Sequence, residues 1–155
     1  MRPFNLLVTL SLLALVTGCG TTIPTTTERE VTNTSIQRLL GPDETLVEVQ
    51  SPSRSGPVYL QGRIDGYASP AYAVRSAPGE RLVVTMESAS QNAYFNVHDS
   101  SDSRGSAVFR GEFEGRTATL EASAPTVWLI RPFQPRASAR RGERIDFSIR
   151  ISRNG

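Results

Sequence analysis

From Leu46 onward, apolar and polar residues exchange places at every second position, in short runs broken by Gly, Pro, Ser and Asn. A period of two is the side-chain period of a strand with one buried face, and no run keeps the 3.6-residue period long enough for a packed helix. The first run holds Leu46, Val47 and Val49. The second sets Val58, Leu60, Gly62 and Ile64 on one face and Tyr59, Gln61 and Arg63 on the other. Asp65-Gly66-Tyr67 is a turn signal. Tyr72 and Val74 follow, then the turn Ala77-Pro-Gly-Glu80, then Leu82, Val84 and Met86, and then Ala93, Phe95 and Val97. After the polar loop His98 to Gly105 come Val108-Phe109, Thr117 to Ala122, Val127 to Ile130 and Arg144 to Ile151. About nine such segments predict an all-β domain, a small antiparallel β-sandwich or a partly closed barrel. With 155 residues and 38% hydrophobic content there is material for one core.

The N-terminus has a different grammar. Arg2 opens a charged region, and the apolar run Leu6 to Val16 matches the length of a signal-peptide core and falls short of a bilayer span. It ends in Leu15-Val16-Thr17-Gly18-Cys19, which resembles the bacterial lipobox, whose cysteine is acylated. Residues 1–18 are therefore expected to be a lipoprotein signal peptide, and 19–45 a lipidated Cys19 with a flexible Thr-rich tether. The β domain is expected over 46–151. Within the tether, Ile36, Leu39 and Leu40 fall at helical spacing and allow one marginal turn before Gly41-Pro42. Cys19 is the single cysteine, which excludes a disulfide within the chain. Gly20 follows where an Asp would signal retention at the inner membrane, so the lipobox implies the outer membrane in a Gram-negative cell.

Charge is concentrated at the other end. All 17 basic residues are Arg, which excludes a P-loop lysine and a lysine nucleophile. Residues 131–155 carry a net +5, whereas 19–130 carry a net −4. Five of the arginines (131, 136, 140, 141 and 144) lie in the segment Arg131 to Arg144. That segment is expected to be a loop pinned between two strands and presenting its charge to an acidic partner. Nucleic acid is not expected, because neither an aromatic ladder nor a basic helix accompanies the arginines. Trp128 and Phe147, on the bracketing strands, are expected in the core.

Candidates for chemistry are few. His98 ends a strand beside a Ser/Asp loop with no nucleophile motif or metal-spaced partner, and is expected to be a solvated loop histidine rather than a catalyst. Asp99 and Asp102 lack the ligand count of a calcium site and are ordinary turn formers. Glu112 and Glu114 flank Phe113 and would share a strand face, with no cleft to make them a glycosidase pair. No catalytic residue, metal or cofactor is expected.

Several stretches together resemble a known family. Gly62-Arg-Ile-Asp-Gly66-Tyr67, Tyr72, the turn and strand Ala77-Pro-Gly-Glu-Arg-Leu-Val-Val, and Asn92-Ala-Tyr-Phe-Asn-Val97 resemble the periplasmic inhibitor of g-type lysozyme and the wider pre-peptidase-type β domains. Phe133-Gln134-Pro-Arg136-Ala-Ser-Ala139-Arg140, with Phe147 seven residues later, is similar to that inhibitor's Gln-x-Arg-x-x-Ala-Arg loop and closing strand. The resemblance implies a non-enzymatic inhibitor whose partner is a lysozyme. It also implies that Tyr67, Arg136 and Arg140 enter the lysozyme's substrate cleft. The alternative is an accessory envelope domain of the pre-peptidase type that binds glycan or another envelope protein and inhibits nothing.

Overall fold

A computed structural model of the chain describes residues 26–50 and 56–154. Five strands, β1 (Glu44–Val49), β3 (Ser69–Ser76), β8 (Thr126–Phe133), β5 (Tyr94–Asp99) and β6 (Ala107–Arg110), form one sheet in that order. Four more, β2 (Val58–Asp65), β9 (Arg144–Asn154), β4 (Arg81–Glu87) and β7 (Thr117–Glu121), form a second. The two sheets pack face to face as an open sandwich, so of the two expected architectures the sandwich is the one formed.

The alternation explains the packing. Ile64, Leu82, Val84, Met86, Ile145, Phe147, Ile149 and Ile151 from one sheet meet Tyr72, Val74, Phe95, Val97, Trp128 and Ile130 from the other. The β2–β9 ladder runs from Val58↔Ile151 to Asp65↔Arg144, keeping every inward residue opposite an inward one. A slip of one residue would turn both sets out to solvent. Trp128 and Phe147 are buried, as expected. The Trp128 indole donates to Ser76 Oγ at 3.1 Å, and Phe147 meets Tyr72 edge-on with centroids 6.4 Å apart.

Three local expectations are corrected. One pair, β1 with β3, is parallel. After β1 the chain crosses to the other sheet as β2 and returns as β3, and such a crossover delivers a strand in the same direction. The segment beginning at Arg131 is not a simple loop: β8 extends to Phe133, and Arg136–Arg140 forms one turn of helix, α3. Pro132 is tolerated there because the β3–β8 ladder stops at Ile130, and Ser69 Oγ donates to the Pro132 carbonyl at 2.8 Å. Glu112 and Glu114 do not share a strand face, since Gly111–Glu114 is another single turn, α2.

The N-terminal segment packs further than one marginal turn. Helix α1 spans Thr26–Leu39 and seats Ile36 and Leu39 against Ala71, Ala73, Val127 and Leu129 on the outer face of the five-stranded sheet. β3 is thus buried on both faces, with large residues inward and alanines leaving a track for the helix outward. The packed chain therefore begins before Leu46. Glu44 closes the α1–β1 junction, accepting from Gly41 N at 2.6 Å and pairing with Arg131 at 2.8 Å. The expected signal peptide, Cys19 and the part of the expected tether up to residue 25 lie outside the described residues.

Four connections, β2–β3, β8–β9, β4–β5 and β6–β7, cross between the sheets at the same end of the sandwich. Neighbouring strands in one sheet are joined to neighbouring strands in the other, so the connections stand side by side in that order across the end.

Candidate functional site

The first two connections carry the three residues implied by the resemblance. Asp65 and Ala68 exchange backbone hydrogen bonds of 2.9 Å in both directions, making a tight two-residue turn. Gly66 takes the left-handed conformation it needs (φ 58°), leaving Tyr67 projecting and 54% exposed. In the next connection Pro135 leads into α3, and Ala139 N donates back to the Pro135 carbonyl at 3.0 Å. Ser138 and Ala139 form the buried face of the turn, while Arg136 and Arg140 are exposed. Four residues apart, these two arginines lie on the same side of the turn.

Gln134 joins the two connections. Its buried amide nitrogen donates to the Gly66 carbonyl at 2.9 Å and to the Glu143 carbonyl at 2.8 Å, and Gly66 N donates to the same Glu143 carbonyl at 3.1 Å. Asn92, in the β4–β5 connection, donates to Ser138 Oγ at 3.1 Å and braces α3 from its other flank. Tyr67 is therefore held at a fixed place beside the arginine turn. Sequence reasoning noted Gln134 only as part of a motif. A long side chain between two prolines or turns, able to donate twice, is the signal for such a staple.

The expected presentation of all five loop arginines is corrected by their partners. Arg131 pairs with Glu44, Arg141 reaches Glu143 at 2.6 Å, and Arg144 reaches Asp65 at 2.9 Å. The hydrogen bond from Arg141 holds the Glu143 carboxyl below the usual range. Among the described arginines from Arg38 onward, only Arg136, Arg140 and Arg150 have a side chain with no ion pair, hydrogen bond or ring contact. Two of those three stand on α3. The site is thus a pair of guanidiniums without counter-ions beside an exposed phenol, an arrangement suited to carboxylates.

The other candidates lie elsewhere. His98 is not the solvated loop histidine expected: it is buried within β5 with Nδ1 2.9 Å from the Gly105 carbonyl, and that burial holds its pKa below the ordinary value. Asp99 accepts from Ser101, and Asp102 from the backbones of Arg104 and Ser106, so both carboxylates are engaged by their own loop. On the outer face of the four-stranded sheet, Gln61, Arg63, Glu87, Ser88, Asp146 and Ser148 line a shallow groove of about 690 Å³. The Arg63–Asp146 pair spans it with bonds of 2.6 and 3.2 Å.

No family model and no curated protein matches the chain. Solved structures do. A periplasmic lysozyme inhibitor of g-type lysozyme from Aeromonas hydrophila is 27% identical, with a TM-score of 0.59 over 72% of this chain and 99% of that one. The Salmonella Typhimurium inhibitor of g-type lysozyme is 19% identical, with a TM-score of 0.54 over 71% and 98%. A pre-peptidase C-terminal domain of a Bacillus anthracis collagenase is 11% identical, with a TM-score of 0.54 over 73% and 100%. The last two likenesses are of fold alone. The chain is thus similar in structure to both groups that its residues resemble.

Proposed function

We propose that this protein inhibits a g-type lysozyme, placing Arg136, Arg140 and Tyr67 in the substrate cleft, and that lipid on Cys19 holds it at the outer membrane. The observation that carries the reading is the counter-ion-free arginine pair stapled beside Tyr67, in a fold like that of the 27%-identical Aeromonas inhibitor. Enzymes that cleave glycosidic bonds work with carboxyl groups around the scissile bond. A guanidinium offers a planar fork of donors to such a group, so it occupies the carboxylate and excludes the sugar. Tyr67 adds a flat amphipathic contact of the kind enriched at binding hot spots. Inhibition of this kind asks no chemistry of the chain. The Gln134 staple supports the reading further, because a surface ordered before binding loses less entropy in the complex.

The test is clearing of bacterial cell suspensions by c-, g- and i-type lysozymes with the domain added. Inhibition of the g-type enzyme is expected, and the double variant Arg136→Ala, Arg140→Ala should weaken it while remaining folded. Removing one partner of a buried charged pair costs about 2–5 kcal/mol, mostly through faster dissociation. Arg150→Ala removes an equally unpartnered charge from outside the site and should leave dissociation unchanged. If the wild-type domain binds no lysozyme at micromolar concentration, the reading fails. The groove containing the Arg63–Asp146 pair favours the second reading, an accessory domain that binds glycan on the face of the four-stranded sheet.

A further inference from the structure

Among the described residues, the most exposed large apolar side chain is Phe113, at 70%. It stands on α2, in the fourth of the connections that cross the end of the sandwich. Across that end the order is the Tyr67 turn, α3, the loop 88–93 and α2. Strands lie about 4.8 Å apart, so α2 is roughly 10 Å from α3 and roughly 15 Å from the Tyr67 turn. An aromatic ring thus sits at one edge of the surface that carries the tyrosine and the two arginines.

The ring is held rather than loose. The Arg110 guanidinium lies over it, 4.6 Å from the centroid. Arg110 N donates to Glu114 Oε1 at 2.7 Å, and Gly115 N to the Gly111 carbonyl at 3.1 Å, closing the turn from both sides. Gly111 is buried against the Phe95 backbone, where a Cβ would collide with the Phe95 carbonyl, so α2 packs closely onto β5.

Interface size points the same way. A stable complex buries about 800 Å² on each partner through roughly 20–30 residues. Tyr67, Arg136 and Arg140 are too few to supply that area, and a partner that covers them must extend along the row. We infer that Phe113 is a second anchor of the same docking surface, entering an apolar recess of the lysozyme beside its acidic cleft. This rests on the inhibitor reading. Tyr67 and Phe113 then bracket the arginine pair with apolar contact, excluding water from the ion pairs between them. Glu112, exposed next to Phe113, disfavours partners that are acidic at this position as well as in the cleft.

The experiment measures binding of the domain to a g-type lysozyme by surface plasmon resonance. Phe113→Ala should weaken affinity at least tenfold, mainly through faster dissociation, with an unchanged melting temperature. Phe113→Trp, which keeps an aromatic ring, should retain most of the affinity. Tyr59→Ala removes a ring of equal exposure from the outer face of β2 and should change affinity less than twofold. On the wild-type complex, hydrogen exchange should slow at the amides of 111–116. If wild type binds and Phe113→Ala binds within twofold, or if 111–116 gain no protection, this inference is overturned while the inhibitor reading stands. Absence of wild-type binding overturns both.

Discussion

Arg136 and Arg140 repel each other across one helical turn, at a cost of about 0.2–0.5 kcal/mol for such a pair. No carboxylate among the described residues relieves it, although Arg131, Arg141 and Arg144 around them are all paired. Gln134 is the residue on which their position depends. Gln134→Ala leaves the Gly66 carbonyl without its donor and removes one of two donors from Glu143, so a loss of about 1–3 kcal/mol in stability is expected. Chemical denaturation measures it, and the folded variant should also inhibit less well, because the Tyr67 turn is then tied to the α3 connection only by the Gly66 N–Glu143 carbonyl bond and the Arg144–Asp65 pair. An unchanged denaturation midpoint would show that the staple is dispensable. At this scale the sequence was half legible. The motif picked out Gln134, Arg136 and Arg140, but the pairing of Arg131 with Glu44 and Arg144 with Asp65 spans 87 and 79 residues and is settled only by the strand register.

Among the elements, the strands were legible because alternation is both their signal and their packing rule. α2 and α3 were not, since a single turn is shorter than the period that would reveal it. α1 was visible only as Ile36, Leu39 and Leu40, and its docking depends on Ala71 and Ala73, small residues that announce nothing in a strand. Strand β5 also carries a titratable group beneath the surface. His98 is surrounded by Arg131 from β8, Glu44 from β1 and Asp102 from its own loop, and its burial disfavours the charged form. The unfolded histidine titrates near 6.5, and the folded one takes up its proton only at lower pH. As pH falls below about 6.5 the unfolded state gains protons that the folded state resists, so stability declines. Asp102, Glu143 and Asp146 are depressed by hydrogen bonds from the Arg104 backbone, Arg141 and Arg63 respectively, and their contribution is lost only in the more acidic carboxylate range. Melting temperature should therefore drop between pH 7.5 and 5.5, and His98→Gln should flatten that drop. Equal slopes for the two proteins would exclude His98 as the cause.

At the scale of the whole molecule, the sandwich carries its candidate docking surface at one end, and the proposed lipid on Cys19 would anchor it upstream of α1. Several acyl chains, each worth about 0.8 kcal/mol per buried CH₂, would keep it on the membrane. Cys19→Ala is expected to abolish palmitate labelling and release the protein into the soluble fraction, and continued labelling would count against the lipobox. The end of the sandwich opposite the four crossing connections has a further use. There Ala77, Pro78 and Gly79 of the β3–β4 turn are exposed, and a side chain added at Gly79 would meet no neighbour. A strand of eight residues separates that turn from the Tyr67 end, roughly 25 Å at 3.3 Å per residue. A domain beginning after Cys19 has no cysteine of its own, so a thiol introduced by Pro78→Cys would be unique. Dye or sensor chemistry attached there would point every copy the same way, with its tyrosine and arginines facing outward and unobstructed.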